Sequence, residues 1–401
     1  MQESTHLYWK RVVGVFFLGW VLMYGNRVVL APLTTQLGAE WNLTNTQIGL
    51  ISSGFFLVYT LFQIPAGVLG DILGRRVLLL YGYVLHGVGA LCSGLVGGLP
   101  AFTGMRLMCG LGQSTYYSTQ YAVVSQAVPA ERRGFAVAIV NSGMSFGMVV
   151  GTWLSSVMVY RFGFGWRAPV IVLGAVTLLL SGIMAAVIKQ DTPAQRERQR
   201  APACVTPGLL RIYVSTFCSM YGFYAILTWL PHYLQVERGY TGEVAGVIST
   251  VMPLVSVPAG IAAGRMSDTL GRHRLLMLML PVSALALFLL PATGGTFWLV
   301  FALLLYGITG KLTSDPLLVA LVADITTQDR YATVFGVLNF AACAATVLAP
   351  AITGWASDVT GSFDSGFYLA SALSLVALIS LSGYREQPKE VLRFGTRAQR
   401  G

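Results

Sequence analysis

Apolar stretches of about 20 residues recur along almost the whole chain, separated by short polar connections. A bilayer core is about 30 Å thick, and a helix needs about 20 mostly apolar residues to cross it. Only 10% of the 401 residues are charged and 55% are hydrophobic, whereas an ordinary soluble domain carries about 25% charged residues. A soluble core of this size has no room for so many apolar segments. The chain therefore reads as an all-α integral membrane protein with twelve transmembrane helices. The expected spans are 12–36, 45–70, 76–96, 100–128, 134–160, 166–188, 208–235, 242–265, 274–292, 296–324, 332–357 and 363–384.

The net charge of +10 could suggest a nucleic-acid partner, but the charges are placed for membrane topology instead. Among the 26 lysines and arginines, Arg27, Arg106 and Lys311 fall inside spans, and Arg161, Arg167 and Arg238 fall in one set of loops. All the others, including Lys10, Arg11, Arg75, Arg76, Arg132, Arg133, Arg272, Arg274 and Arg330, fall on the opposite side, in the alternate loops with the span ends that adjoin them and in the two tails. By the positive-inside rule both termini are cytoplasmic, as expected for a multi-pass protein of the cell (inner) membrane in contact with the lipid bilayer. No cleavable signal is evident, so the first residues read as a cytoplasmic tail leading into a retained helix. The five cysteines show no CxxC spacing and the four histidines are scattered, so no metal, cofactor or disulfide framework is expected.

A polar, basic, proline-containing segment lies between the sixth and seventh spans. It divides the chain into an N-terminal six-helix bundle (1–188), a cytoplasmic linker (189–207), a C-terminal six-helix bundle (208–384) and a cytoplasmic tail (385–401). Internal repeats support the division. GVLGDILGRR after the second span carries Asp71, and GRMSDTLGRHR after the eighth carries Asp268, 197 residues on. Arg132 and Asn141 after the fourth span recur as Arg330 and Asn339 after the tenth, each 198 residues on. Six spans per half make the repeats parallel, and such repeats place a binding site at their interface near the bilayer midplane.

The GxxxDxxGRR loop, its degenerate second copy and RLMCGLG (Arg106 to Gly112) resemble the signature motifs of the major facilitator superfamily, over the whole chain and in order. MYGNR (Met23 to Arg27), GLGQ (Gly110 to Gln113) and TWLPHYL (Thr228 to Leu234) resemble its organic-anion symporters, the group of sialin and the bacterial sugar-acid transporters. The resemblance implies that Asp71, Arg75, Arg76, Asp268 and Arg272 form gating bridges that close the cytoplasmic side in one state. A plain topology signal at a helix end would need no such role.

Charge inside a bilayer is expensive, about 2.5–3.5 kcal/mol on insertion scales, so an intramembrane ionisable residue is a functional candidate. Arg27 lies about 16 residues beyond Arg11, or roughly 24 Å of helix, too deep for easy snorkelling. Its planar fork matches carboxylate or phosphate, and no acid lies within a helical turn. In the resembled symporters an arginine at this position binds the substrate's anionic group. Arg106 fills a position associated there with proton coupling, but this chain departs from the pattern. Asn26 and Gln113 stand where those proteins carry acids, and neither amide can cycle a proton.

The repeat offset pairs Gln113 with Lys311, which suggests that Lys311 faces the cavity from the second half. Alternatively Asp315, at i+4, simply neutralises it; Asp315 is also the remaining acid within a span that could carry a proton. Tyr221 and Tyr224, three apart on one helix face, are candidate substrate contacts, with Tyr117 and Gln120 as further ones. Gly143, Gly147 and Gly151 mark close helix packing, and Pro253, Pro258 and Pro316 are expected to bend their helices.

These features point to a monomeric secondary transporter of a small anionic solute. Arg27 would anchor the anion and Lys311 would add a second positive contact, with a proton or counter-anion as coupled species. A siderophore or drug exporter and a non-transporting sensor of the same fold are the alternatives. An enzyme is disfavoured, because no nucleophile–base set or phosphate loop is evident.

Overall fold

The computed structural model describes residues 2–129, 132–189, 206–326 and 331–384; within these ranges the side chains at 2–7, 71, 118, 121, 122, 125, 126, 134 and 331–333 are not described. The Asp71 side chain, most of the expected linker and the tail 385–401 thus lie outside the described residues. The described residues are mostly helical, with no strand among them.

The first span is α1 (Gln2–Val28), which gives way to a 3-10 turn at Ala31–Leu33 and then α2 (Thr34–Trp41). Then come α3 (Asn45–Leu73), α4 (Arg75–Leu95), a fourth span split into α5 (Leu99–Ser114) and α6 (Tyr116–Ala127), α7 (Arg133–Ser156) and α8 (Arg167–Val187). The second half runs α9 (Pro207–Val236), a split pair α10 (Gly242–Ser249) and α11 (Val251–Leu270), and α12 (Arg272–Ala292). It ends with a split pair α13 (Thr296–Thr309) and α14 (Lys311–Asp324), α15 (Tyr331–Thr360) and α16 (Asp364–Ser382).

Among the described residues, ten helical spans are long and apolar enough to cross a bilayer. The α5–α6 rod and α9 are outside that set; they carry Gln113, Gln120, Tyr221 and Tyr224, the polar groups expected at an internal cavity.

Local sequence explains several boundaries. Thr44 and Gln47 form a capping box at the start of α3, Thr44 accepting from Gln47 N and Gln47 Oε1 accepting from Thr44 N. Both repeat loops turn on a glycine at positive φ, Gly74 (φ 92°) and Gly271 (φ 86°), a conformation that disfavours any side chain. The eighth span breaks at Thr250, three residues before Pro253, whose missing N–H leaves the Ser249 carbonyl without its helical donor. The tenth span breaks at Gly310, six residues before Pro316 where a bend was expected; Thr313 Oγ1 donates to the carbonyl of Gly307, 2.8 Å away, across this break.

Packing repeats between the halves. In the first, α1 packs on α7, α4 on α8 and α3 on α5; in the second, the corresponding pairs are α9 on α15, α12 on α16 and α11 on α13. Between the halves, α3 runs along α15, and α7 meets α10 and α11. The glycine series of α7 brings it close to α1, where a Cβ on Gly143, Gly147 or Gly151 would lie 2.5 Å from the carbonyl oxygens of Phe17, Val21 and Gly25 respectively.

The two ends of the molecule differ. At the end away from the tails, the Asp358 carboxylate on α15 accepts from Asn45 N (3.0 Å), Thr46 N (2.7 Å) and Thr46 Oγ1 (2.6 Å) at the start of α3. Nearby, Gln235 Nε2 donates to the Pro32 carbonyl (2.9 Å), and Thr35 Oγ1 lies 3.0 Å from His232 Nδ1. At the tail end, Arg76 donates to the Ala185 carbonyl (2.6 Å), Arg272 pairs with Asp324, and Asp268 is exposed. The bonds named for Arg76 and Arg272 stay within their own halves. Among the bonds named, those that join the halves thus lie at the far end.

Asp358→Ala is expected to loosen the far end, because three hydrogen bonds across the halves disappear, each worth about 0.5–1.5 kcal/mol. Spin labels at Gly97 and Gly294, far-end loop positions in opposite halves where a side chain meets open space, should gain a longer-distance population. An unchanged distance distribution would show that Asp358 does not hold this end shut.

Candidate functional site

Arg27 lies in the last turn of α1, where the helix's unsatisfied carbonyls favour a cation. Gln113 lies in the last turn of α5, just before the break at Thr115. Both side chains thus come from helices interrupted near the middle of their spans, as do many transporter sites.

The guanidinium is shared by the two halves. Nε donates to Gln113 Oε1 at 2.8 Å, and Nη1 donates to Tyr224 OH on α9 at 3.1 Å. Its carbon lies 4.5 Å from the ring centre of Tyr24, 4.7 Å from that of Tyr59 and 5.6 Å from that of Phe56. These cation–π contacts hold the charge without neutralising it. Nη2 is buried and has no partner, and among the described residues no carboxylate pairs with Arg27. Gln113 Nε2 is likewise buried and unpartnered. The centre is rich in donors and poor in acceptors, an arrangement suited to an anion.

The other candidates are dispersed. Arg106 is buried, donating from Nη1 to the Asn26 carbonyl (3.3 Å) and lying over Phe55 (5.3 Å). Asn26 does not join Arg27; its Nδ2 donates to the Leu22 carbonyl (2.9 Å) and to Thr177 Oγ1 on α8 (3.0 Å). Gln120 accepts from Trp20 Nε1 (3.2 Å), and Tyr221 OH lies 3.4 Å from Thr353 Oγ1 within the second half. Tyr117 is exposed towards the tail end. Lys311 is buried at the start of α14 and pairs with Asp315 one turn on, whose side chain is partly exposed.

Two cavities lie on either side of the Arg27 centre, and Arg27 lines the first of them. A small one of about 40 Å³ lies on its far-end side, lined in part by Arg27, Arg106, Ser52 and Thr228. A larger one of about 310 Å³ opens between the halves on the tail side, lined in part by Thr60, Gln63, Tyr117 and Asn339. Sequence reasoning missed Tyr24, Phe56 and Tyr59. Tyr24 stands three before Arg27 on one helix face, and Phe56 and Tyr59 are three apart on another.

Two matched helix bundles, with a cavity between them and a buried arginine that no described carboxylate neutralises, define a multi-pass membrane transporter rather than an enzyme. The chain belongs to the Major Facilitator Superfamily, which matches residues 15–310 and again residues 212–399. It is 25% identical to a hexuronate transporter of Bacillus subtilis, over 92% of this chain and 93% of that one. It is 28% identical to a probable sulfoacetate transporter of Cupriavidus necator, over 92% of each. A voltage-gated purine nucleotide uniporter of Rattus norvegicus is 25% identical over 91% of this chain and 87% of that one. In fold it is similar to a bacterial homologue of the human lysosomal transporter Spinster, solved in an inward-facing, unoccupied conformation (TM-score 0.76, 14% identity, 94% of this chain and 96% of that one).

Proposed function

We propose that this chain is a secondary active transporter of a small organic anion, working as a monomer by alternating access in the cell inner membrane with both tails cytoplasmic. The observation that carries this reading is the Arg27 guanidinium, held by Gln113 from one half and Tyr224 from the other, with Nη2 open and no carboxylate on it. An incoming carboxylate, phosphate or sulfonate supplies the missing acceptor. The similar proteins named above as transporters of hexuronate and sulfoacetate, both organic anions, support the class of substrate. With the tails in the cytoplasm, the open end is the cytoplasmic one, and the halves rock about the anion to expose it to the other side.

Lys311 serves as the second positive contact once Asp315 releases it. Asp315 then carries the coupled proton, or the cycle runs as exchange against a counter-anion. Arg106, through the Asn26 carbonyl, ties the end of α1 to α5 and so links the anion anchor to the fourth span.

A thermal-shift screen of small anions on the purified chain and on Arg27→Ala tests the reading. Stabilisation of the wild type by at least one anion, lost in the variant, is expected. An anion that stabilises both proteins equally would remove Arg27 from the role.

A further inference from the structure

The helices that touch Arg27 continue towards the open end, and their next turn changes character. On α3, Phe56 and Tyr59 contact the guanidinium; one turn further, about 6 Å along the helix, stand Thr60 and Gln63. On the fourth span Gln113 is followed, past the break, by Tyr117. Thr60, Gln63 and Tyr117, with Asn339 of α15, line the cavity of about 310 Å³, and none of the described residues that line it is charged. Gln63 and Asn339 meet across the halves, Asn339 Nδ2 donating to Gln63 Oε1 at 2.7 Å. That bond leaves an amide N–H₂ on one residue and an amide carbonyl on the other, a donor and an acceptor, for a ligand hydroxyl. Lys311, the buried lysine or arginine described in the second half, is not among the described residues that line this cavity.

We propose that Gln63 and Asn339 form an uncharged subsite that selects singly charged anions with a hydrogen-bonding neutral end over dianions. The proposal rests on Arg27 as the anion anchor. A ligand held there by its acid group reaches the amide pair with its other end. A hydroxyl exchanges its water bonds for bonds to both halves at once. A second carboxylate in the same place loses hydration without meeting a counter-charge. An apolar tail leaves that free donor and acceptor without a ligand partner, and sites built to hydrogen-bond a hydroxyl reject the ligand that lacks it.

Three six-carbon acids test this on the full chain in detergent, by calorimetric titration: gluconate (one charge, hydroxylated), glucarate (two charges, hydroxylated) and hexanoate (one charge, apolar). Gluconate should bind at least about tenfold more tightly than either of the others. Gln63→Leu and Asn339→Leu should each weaken gluconate about tenfold while leaving hexanoate unchanged, with unliganded melting temperatures confirming that the variants fold. Glucarate binding as tightly as gluconate would overturn the proposal, as would Leu variants that keep the wild-type ratio of gluconate to hexanoate. The Arg27→Ala variant separates the two readings. If it abolishes binding of all three acids while their order is wrong, only the amide subsite fails; if the acids bind it unchanged, the anchor itself fails.

Discussion

Arg27→Lys is expected to lower anion affinity about 10- to 150-fold although the charge is kept, because charge-assisted hydrogen bonds contribute about 1.5–3 kcal/mol. The guanidinium donates to Gln113 and Tyr224 and holds Nη2 open, and it does so between the rings of Tyr24 and Tyr59. An ammonium is a compact, strongly hydrated point charge with no planar fork. It cannot meet Gln113, Tyr224 and an anion in the same geometry. Initial uptake rates in proteoliposomes and titration of the best anion from the thermal-shift screen would measure the loss. A lysine variant with wild-type affinity would show that positive charge alone is sufficient at this position.

The largest effect on stability is expected for Gly147→Val. The first added carbon would sit 2.5 Å from the Val21 carbonyl oxygen, 2.9 Å from Tyr24 Cβ and 3.0 Å from the Trp20 carbonyl oxygen. Two of these are backbone atoms that cannot swing aside, so α7 must move off α1, and overpacking of this kind costs about 1–3 kcal/mol. The displacement also shifts Tyr24, one of the rings that holds Arg27, so anion binding should fall together with the melting temperature. Gly182→Ala on α8, where a Cβ meets open space, is the matched control. It should be neutral or slightly stabilising, since alanine favours a helix over glycine by about 1 kcal/mol. Equal melting temperatures for Gly147→Val and the wild type would refute the close-packing argument.

Membrane class and repeat were legible because they are written in long runs: apolar stretches as long as the bilayer is thick, and motifs at nearly one offset. Arg27, Gln113 and Tyr224 were legible too, as polar groups in places where apolar ones would be cheaper, and the fold brings these three together. Asn26 was not. Neighbours on a helix point about 100° apart, so the residue beside Arg27 in sequence turns to Thr177 on α8 instead. Gln120 lies beyond the break at Thr115, which separates it from Gln113, and it bonds Trp20. The rings around Arg27 were hidden for another reason. Aromatics are common in membrane helices, and only the packing of α3 on the end of α1 decides which of them meet a cation. Likewise, the contact between Gln63 and Asn339 spans 276 residues and depends on how α3 lies along α15.

The hydrogen bond from Arg27 to Tyr224 has a consequence for slippage. It joins the two halves while the anchor is empty, so a carrier that reorients without cargo must first break it, at a cost of about 1.5–3 kcal/mol for a charged donor. A bound anion offers the guanidinium a replacement acceptor and removes that toll on the loaded protein. Tyr224→Phe should therefore make the transporter leakier: idle turnover speeds up, and less solute moves for each unit of driving force.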